Sequence, residues 1–246
     1  MPTSLDEVIS GIMDFVPKEN SVQKIGKKFF FGGRDRLYVI VPPWRASFDT
    51  PPMRFLKEKI LKTKCSCLVY EFPIDILSTD VLRTKKYFKI IQKKIKANIS
   101  KIKKKYKFKE IVLVGISLGN VHALMVANDN EDVDGLCLVV PGDSLAYCLW
   151  NGVATVDLQK GIEQRKINLD KLEKIWQDLA PKNNIDRLEG KDIEVYLSRS
   201  DKVIPYESGD RLVKDMEKRG LSIKVFKNKK LGHYLTALKF IFSKVF

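Results

Sequence analysis

Short apolar runs and longer amphipathic stretches alternate along this chain, and together they predict a layered fold. Runs of mainly apolar residues bounded by turns or charges predict strands at residues 28–31, 37–41, 66–72, 111–114, 135–140, 193–198 and 222–226. Apolar residues at helical spacing predict helices at residues 53–62, 79–107 and 120–128, after residue 205 and at the C-terminus. Strands that alternate with helices are typical of a mostly parallel sheet with helices on both faces. We therefore expect an α/β fold.

The N-terminal residues predict one more helix. Ser4 and Glu7 form a capping-box pattern ahead of an apolar stripe at residues 5, 8, 9, 12 and 16. Such a stripe could lie on a membrane surface, but amphipathic helices of this kind more often cover a core. We expect this helix to pack on the domain.

The segment Gly-Ile-Ser-Leu-Gly at residues 115–119 carries the most specific chemical signal. It follows a predicted strand and leads into a predicted helix, which is the setting of a nucleophile elbow. The tight turn needs small residues around Ser117, and it projects the Ser117 hydroxyl above the edge of the sheet. The backbone N–H of Leu118, at the helix N-terminus, then faces an oxyanion formed there. Ser117 is therefore the candidate nucleophile.

A serine hydroxyl needs a base to become a good nucleophile, and the chain contains two histidines. His122 lies five residues after Ser117, about 140° around the predicted helix, so we interpret it as a packing or surface residue. His233 follows a predicted strand, and loops at the carboxyl ends of strands carry the chemistry of such folds. His233 is the candidate base by position and by elimination.

A carboxylate is needed to orient that base, and two aspartates compete for the role. Asp201 follows the predicted strand at residues 193–198 and precedes a predicted helix. Asp143 follows the strand at residues 135–140, and its loop could also reach the imidazole. Taken alone, Asp201 could merely cap or turn the chain. We assign Asp201 and keep Asp143 as the rival, and both choices give the chain order Ser, Asp, His.

From about residue 29 to the C-terminus, the chain resembles the α/β-hydrolase superfamily. The signature of that family is an elbow serine followed by an aspartate and a histidine on later strand ends. The specific parts of the resemblance are residues 115–119, the Ser-Asp-Lys-Val-Ile-Pro segment at residues 200–205 and Leu-Gly-His at residues 231–233. The resemblance implies the same α/β fold and a catalytic triad of Ser117, Asp201 and His233.

The family also takes a second oxyanion N–H from the loop after an early strand, often within a His-Gly motif. Here two prolines, which lack an N–H, follow the strand at residues 37–41. Trp44 is therefore the first available donor and Arg45 the next, which departs from the His-Gly pattern. Asn120 stands where a third glycine is common in the family, and we expect this difference to matter little to the chemistry.

The resemblance further implies a cap or lid between the fifth and sixth strands. Residues 142–180 are expected to form a small helical cap insertion within the domain. Its apolar residues could line an acyl pocket or simply anchor the cap. We assign Leu145, Tyr147 and Trp150 as candidate substrate-binding residues, and we expect Trp176 to be an anchor.

The composition agrees with a single domain over residues 1–246. Hydrophobic residues make up 44% of the chain and aromatic residues 10%, which excludes a disordered protein. No apolar stretch is long enough to cross a bilayer, and no signal peptide is evident. The four cysteines lie mostly in apolar runs without a second ligand pair for zinc. We expect buried thiols, no metal or cofactor, and a cytoplasmic location.

The net charge of +15 is concentrated in one predicted helix. Residues 81–109 hold 13 Lys and Arg residues and no Asp or Glu, which leaves 32 basic against 30 acidic residues elsewhere. The lysines could be a solvated face, or they could dock an acidic partner such as a carrier protein or an anionic membrane surface. Nucleic acid is not expected as a partner, because aromatic residues are not interleaved with the lysines on that face.

These features together predict a serine hydrolase that cleaves a carboxylic ester of a small or medium acyl substrate through an acyl-enzyme intermediate. A thioesterase acting on a carrier-bound or lipid acyl group is the nearest alternative, and a peptidase or lactonase would use the same triad. A non-catalytic binding module with the same fold is the hypothesis from another class.

Overall fold

The computed structural model describes residues 6, 24–244 and 246. Apart from Asp6, the N-terminal helix predicted from Ser4 and Glu7 lies outside these residues. The described chain forms a seven-stranded sheet with the order β1-β3-β2-β4-β5-β6-β7. The strands are β1 Gly26–Phe30, β2 Arg36–Val41, β3 Ser66–Glu71, β4 Glu110–Ile116, β5 Gly135–Val139, β6 Asp192–Ser198 and β7 Ile223–Asn228.

The sheet is parallel except at one edge. Strand β1 pairs antiparallel with β3, and each of the other neighbouring pairs is parallel. Each predicted strand is present, with its ends within two residues of the predicted ones. The expected α/β fold with a mostly parallel sheet is confirmed.

Helices cover both faces of the sheet. Within the described residues they are α1 Pro51–Lys62, α2 Val81–Tyr106, α3 Gly119–Ala127, α4 Leu145–Asn151, α5 Val156–Gln164, α6 Leu169–Ile175, α7 Tyr206–Lys218 and α8 Gly232–Ser243. Short 3₁₀ turns at Ile74–Ile76, Val153–Thr155 and Pro181–Asn183 connect some of them.

Alternation along the strands builds two hydrophobic layers. In β2, the side chains of Leu37 and Val39 join the cluster under α2 and α3, whereas those of Tyr38 and Ile40 join the cluster under α1 and α8. Successive side chains of a strand point to opposite faces, so each parallel strand is buried on both sides. This double burial explains why the strands appear in the sequence as nearly continuous apolar runs.

The segment between β5 and β6, which the family resemblance marks as the place of a helical cap, contains three helices. Helices α4, α5 and α6 lie within residues 142–180 and contribute to the same core as α2. Trp176 is 1% exposed, and its indole N–H donates a hydrogen bond to the carbonyl of Val81 at 2.8 Å. Trp176 therefore anchors the insertion to the start of α2. The role of the insertion as a lid stays a prediction.

Helix α2 has one buried side and one basic side. Phe88, Ile91, Ile95 and Ile99 are fully buried beneath it. Some of its basic residues form ion pairs with acidic residues of neighbouring elements: Arg83 with Asp75, Lys85 and Lys89 with Asp178, Lys96 with Asp129, and Lys103 with Asp132. Other lysines of the helix are exposed, and their docking to an acidic partner stays a prediction.

None of the described helices combines the length and the apolar character that crossing a membrane requires. The longest, α2, carries basic residues throughout its length. Its hydrophobic side is buried against the sheet, as in a water-facing helix of a globular domain.

Candidate active site

Ser117 occupies a strained turn between β4 and α3. Its φ is +53°, a left-handed conformation that non-glycine residues rarely adopt. The turn also brings α3 very close to the end of β2, because a methyl group on Gly119 would lie only 2.1 Å from the carbonyl oxygen of Val41. The glycine is thus required by a close approach of two backbones. Such strain, held by surrounding structure, is typical of a nucleophile elbow.

Asn120 supports this turn from beneath. Its side chain is fully buried, and its amide donates hydrogen bonds to the carbonyls of Ser117 at 2.8 Å and Val139 at 2.7 Å. The Ser117 N–H also bonds the Val139 carbonyl, at 2.9 Å. The residue that replaces a common glycine therefore ties the elbow to the end of β5. The sequence offered no signal for this role.

The structure brings Ser117, His233 and Asp201 together. His233 Nε2 lies 3.0 Å from Ser117 Oγ, and His233 Nδ1 lies 2.8 Å from Asp201 Oδ2. The histidine and the aspartate are 3% and 8% exposed. Since a carboxylate only accepts hydrogen bonds, the imidazole proton belongs on Nδ1. The lone pair of Nε2 then faces the serine hydroxyl, which is the tautomer a general base needs.

Asp201 is held in place by its own loop. Its Oδ1 accepts hydrogen bonds from the backbone N–H groups of Val203 at 2.9 Å and Ile204 at 2.8 Å. The other oxygen is left for the imidazole. One carboxylate therefore both shapes the loop after β6 and orients the ring of His233.

The rival carboxylate, Asp143, has different partners. Arg211 on α7 approaches it with two nitrogens, at 2.7 Å and 3.0 Å, and the hydroxyl of Ser208 donates to its Oδ1. Asp143 is 4% exposed. Its acceptor positions are thus occupied by an ion pair and a hydroxyl, and the carboxylate that contacts His233 belongs to Asp201.

The candidate oxyanion donors lie next to the elbow. Leu118 directly follows Ser117 at the start of α3. The chain segment after β2 passes against that turn, since a methyl group added to Gly119 would meet the carbonyls of Val41 and Pro42. The indole of Trp44 is fixed by a 2.7 Å hydrogen bond to the carbonyl of Ile74. The assignment of the Leu118 and Trp44 N–H groups to an oxyanion stays a prediction.

A cavity of about 420 Å³ opens beside Ser117 and His233. It lies between the segment that leads into α1 and the face of α8, and its walls are mainly apolar. Side chains that line it include Trp44, Met53, Leu238 and Ile241. An acyl or other apolar group attached to a reacting carbonyl would fit there without burying unpaired polar groups.

The candidate pocket residues of the insertion are not among those that line this cavity. Leu145 is 6% exposed and belongs to the core, and Trp150 packs partly buried against the same core. The ring of Tyr147 stacks against the guanidinium of Arg211, whose central carbon lies 4.5 Å from the ring centroid. These three side chains therefore pack within the fold in this structure. The cavity beside Ser117 is lined mainly by α8 and by the segment that leads into α1, and Ala154 is a residue of the insertion that also lines it.

Comparisons with known proteins place this geometry in a wider context. No protein-family model and no curated protein sequence matches the chain. Among solved structures, a cold-adapted esterase from an Arctic intertidal metagenomic library is similar, with TM-score 0.63 and 12% identity over 91% of this chain and 88% of that one. A Pyrococcus furiosus esterase gives TM-score 0.64 and 14% identity over 94% and 89%. Est1E from Butyrivibrio proteoclasticus, with ferulic acid bound, gives a TM-score of 0.63 and 11% identity over 88% of this chain and 92% of that one.

The chain has the α/β-hydrolase fold. At identities of 11–14%, this similarity establishes the arrangement of the sheet and the helices. In this fold the ends of the parallel strands meet at one edge of the sheet. Ser117 follows β4, Asp201 follows β6 and His233 follows β7, so the three side chains converge although they are far apart in the chain.

His122 lies away from the triad, within the core. It is fully buried, and its ring packs 4.4 Å from the ring of Phe88 and 5.1 Å from that of Phe72. Neither ring nitrogen has a hydrogen-bond partner among the described residues. Burial lowers the pKa of His122 from 6.5 to about 3, so the ring is neutral at physiological pH. The structure agrees with the interpretation of His122 as a packing residue.

All four cysteines are buried, and burial raises the pKa of Cys67, Cys137 and Cys148 to about 12. Within the described residues, no group of three or more His, Cys, Asp or Glu side chains has an arrangement that could hold a metal ion.

Proposed function

We propose that this protein is a serine hydrolase that cleaves a carboxylic ester of a small or medium apolar acyl group. One observation carries the proposal: a chain of hydrogen bonds runs from the buried Asp201 through the buried His233 to Ser117, beside an apolar cavity. The strained conformation of Ser117 supports it, because such strain persists where it serves a function.

In the acylation step, His233 Nε2 accepts the proton of Ser117 Oγ while that oxygen attacks the ester carbonyl. Asp201 remains a carboxylate and stabilises the imidazolium that forms. The carbonyl oxygen becomes an oxyanion, which receives hydrogen bonds from the N–H groups of Leu118 and Trp44. When the carbonyl re-forms, the bond to the leaving alkoxide breaks, and His233 returns the proton to it as alcohol.

Deacylation repeats the sequence with water. His233 takes a proton from a water molecule, whose oxygen attacks the acyl carbonyl and generates a second oxyanion in the same place. Collapse of that intermediate breaks the bond to Ser117 Oγ, which recovers its proton from His233. The carboxylic acid leaves, and the triad returns to its starting protonation state.

The cavity supports an apolar acyl group as the recognised part of the substrate. Its volume of about 420 Å³ suits a small or medium acyl chain or a single aromatic ring, and most of its lining is hydrocarbon. The similar solved structures are named as esterases or contain ferulic acid, which is a small aromatic acid. These similarities support an ester as substrate and leave the leaving group open.

A fluorophosphonate probe tests the proposal directly, because it reacts covalently with an activated serine. We expect labelling of the wild-type protein at Ser117 and loss of labelling in Ser117→Ala, with both proteins showing the same thermal unfolding midpoint. Absence of labelling in well-folded wild-type protein would refute the hydrolase and favour a binding module.

A substrate series then separates the hydrolase alternatives. Hydrolysis rates would be measured for esters and thioesters that share the same acyl groups, from acetyl to decanoyl. We expect ester hydrolysis with an optimum at an intermediate length that fills the cavity. A strong preference for thioesters across the series would replace the esterase with a thioesterase, which uses the same triad.

A further inference from the structure

Asp6 lies buried beside the triad, although it is far from it in the sequence. The residue is 3% exposed. Both oxygens of its carboxylate lie 3.0 Å from the backbone nitrogen of His233, 227 positions away. Its Oδ2 also accepts a hydrogen bond from the N–H of Lys202 at 3.2 Å. These partners are the candidate base itself and the residue next to Asp201.

The carboxylate of Asp6 therefore joins the two loops that carry the acid and the base. His233 must reach Ser117 Oγ at 3.0 Å and Asp201 Oδ2 at 2.8 Å at the same time. Its side chain projects from the first turn of α8, so any shift of that turn moves Nε2 away from the serine. Holding the backbone of His233 against the loop after β6 keeps Nε2 within hydrogen-bond distance of Ser117 Oγ and Nδ1 within hydrogen-bond distance of Asp201 Oδ2.

Gly232 is adapted to the approach of this carboxylate. Its φ is +65°, and a methyl group added there would lie 2.8 Å from Asp6 Oδ1 and 2.9 Å from Oδ2. Gly220 offers a comparison, because its φ is +73° but an added methyl group would meet nothing within 4 Å. Both glycines serve a turn. Gly232 in addition leaves the space through which Asp6 reaches the backbone of His233.

The electrostatics of α8 favour a carboxylate at this point. The N-terminus of a helix presents unpaired N–H groups and the positive end of the helix dipole. The first of these groups, the N–H of Gly232, bonds the hydroxyl of Ser200 at 3.0 Å, and the next, that of His233, bonds Asp6. A buried carboxylate needs such hydrogen bonds to offset the loss of hydration. The contact is thus stabilising for both loops.

We propose that Asp6 is a positioning residue of the hydrolase, which holds the loop after β6 against the first turn of α8 so that His233 spans Ser117 and Asp201. The inference rests on the proposed function. It extends the site to the N-terminal part of the chain, from which no triad residue comes. Asp6 itself touches no reacting atom and acts through the backbone of His233.

The first experiment compares two aspartates that accept backbone N–H groups at helix N-termini. Asp80 accepts from Arg83 at 3.0 Å at the start of α2, which carries no triad residue. We expect Asp6→Ala to lower kcat and the rate of fluorophosphonate labelling about tenfold to hundredfold, because misplacing a catalytic group by about 1 Å has effects of that size. KM should change less than about twofold. Asp80→Ala should lower the thermal midpoint and leave kcat at the wild-type value.

Two further variants keep the test decisive if Asp6→Ala folds poorly. Asp6→Asn retains the shape and one carbonyl acceptor, so it should restore part of the lost kcat. Gly232→Ala should reproduce the loss of kcat by pushing the Asp6 carboxylate away, whereas Gly220→Ala introduces similar backbone strain and should leave kcat unchanged. Equal kcat in wild type, Asp6→Ala and Gly232→Ala would overturn the positioning role. Equal losses in the test and control variants would also overturn it.

A spectroscopic measurement reports on the same geometry without turnover. A hydrogen bond from an imidazole N–H to a carboxylate moves its proton resonance far downfield, so the Nδ1 proton of His233 monitors the contact with Asp201. We expect this resonance in wild type and Asp80→Ala, its broadening or loss in Asp6→Ala, and its assignment by its absence in His233→Gln. An unchanged resonance in Asp6→Ala would contradict the positioning role. Failure of the fluorophosphonate probe to label the wild-type protein would instead contradict the proposed hydrolase activity, so the two outcomes are distinguishable.

Discussion

The loops after β5 and β6 lie side by side, and each carries a buried aspartate with a different task. Asp143 is 4% exposed and Asp201 is 8% exposed. Both follow a parallel strand, so both stand at the same edge of the sheet. Asp201 bonds its own loop with one oxygen and His233 with the other. Asp143 bonds the guanidinium of Arg211 with both oxygens.

The difference shows that burial and position alone do not identify the carboxylate of a triad. A guanidinium is a permanent cation, and its two parallel hydrogen bonds fix Asp143 in an ion pair. In the proposed mechanism the imidazole of His233 changes its charge during the reaction, and Asp201 lies where it would respond to that change. The side chain that donates to each carboxylate therefore distinguishes the two aspartates: His233 donates to Asp201, and Arg211 donates to Asp143.

The two histidines show the same contrast. His233 and His122 are 3% and 0% exposed, so accessibility does not separate them. Both ring nitrogens of His233 are bonded to triad partners, whereas those of His122 have no partner among the described residues. Hydrogen bonding separates a group that can transfer a proton in a defined direction from one that fills space.

Replacing the triad carboxylate should give the largest effect. In Asp201→Asn, the amide can donate to Nδ1 of His233, which moves the imidazole proton to Nε2 and removes the base from Ser117. We expect kcat to fall about 10⁴-fold, as when the corresponding carboxylate of a serine protease is replaced, while KM changes little. Steady-state hydrolysis of an activated ester would measure it.

The matched variant Asp143→Asn serves as the control for this prediction. It neutralises the neighbouring carboxylate without touching the contacts of His233, so kcat should stay within about threefold of wild type. A 10⁴-fold loss in Asp143→Asn, with Asp201→Asn nearly active, would reverse the assignment of the two aspartates.

The second effect concerns the stability of the protein and the loop after β5, which carries Asp143. Asp143→Ala leaves Arg211 without its partner and removes the acceptor of Ser208. We expect the free energy of unfolding to fall by about 3 kcal/mol, at the low end for a broken buried ion pair because Arg211 keeps contact with water. Urea denaturation followed by circular dichroism would measure the change.

A double-mutant cycle with Arg211→Ala refines this second prediction. If the two residues stabilise the fold mainly through each other, the double variant should be little less stable than either single variant. Strictly additive losses would show that Asp143 and Arg211 act independently, and the ion pair would then not explain the conformation of the loop after β5.

The third effect depends on pH and concerns His122. In the unfolded chain its pKa is close to the ordinary value of 6.5, whereas in the folded protein it is about 3. Below pH 6.5 the unfolded chain binds a proton that the folded protein does not, so this residue lowers stability by up to about 1.4 kcal/mol per pH unit as the pH falls toward 3. Replacement by phenylalanine, which fits the aromatic surroundings, removes that contribution.

We therefore expect the free energy of unfolding of His122→Phe to increase by about 2 kcal/mol relative to that of wild type when the pH is lowered from 7 to 5. Urea denaturation of both proteins at the two pH values would measure it, with labelling at Ser117 unchanged at pH 7. A stability difference that is the same at both pH values would show that His122 titrates alike in the folded and unfolded states.

Much of the fold, and the convergence of Ser117, Asp201 and His233, could be predicted because the physical signals are local. Each parallel strand is buried on both faces, so it appears as a continuous apolar run, and the ends of such strands meet at one edge. The strand direction of β1 is not encoded in such a pattern. Its antiparallel pairing with β3 had to come from the structure.

The contacts that the sequence did not reveal join residues with no shared periodicity. Asp6 meets the backbone of His233 across 227 positions, and no spacing rule connects them. The apolar residues of the insertion could equally have lined a pocket or packed on the core, since hydrophobicity alone does not choose a direction. In the structure the cavity lies mainly between the segment that leads into α1 and the face of α8, and Ala154 of the insertion also lines it.

The smallest effect is expected for Tyr147, and it tests whether the insertion takes part in binding the acyl group. Its ring contacts Arg211, so Tyr147→Leu should lower the free energy of unfolding by about 0.5–1 kcal/mol, the usual contribution of such a cation–π contact at a partly exposed site. KM for the ester series should stay within about twofold of wild type, because Tyr147 is not among the residues that line the cavity.

Leu238→Trp provides the contrast, because it fills the cavity and should raise KM most for the longest acyl chains. If Tyr147→Leu shifted the chain-length optimum and Leu238→Trp did not, the acyl group would bind under the insertion, and the cavity between α1 and α8 would have another role.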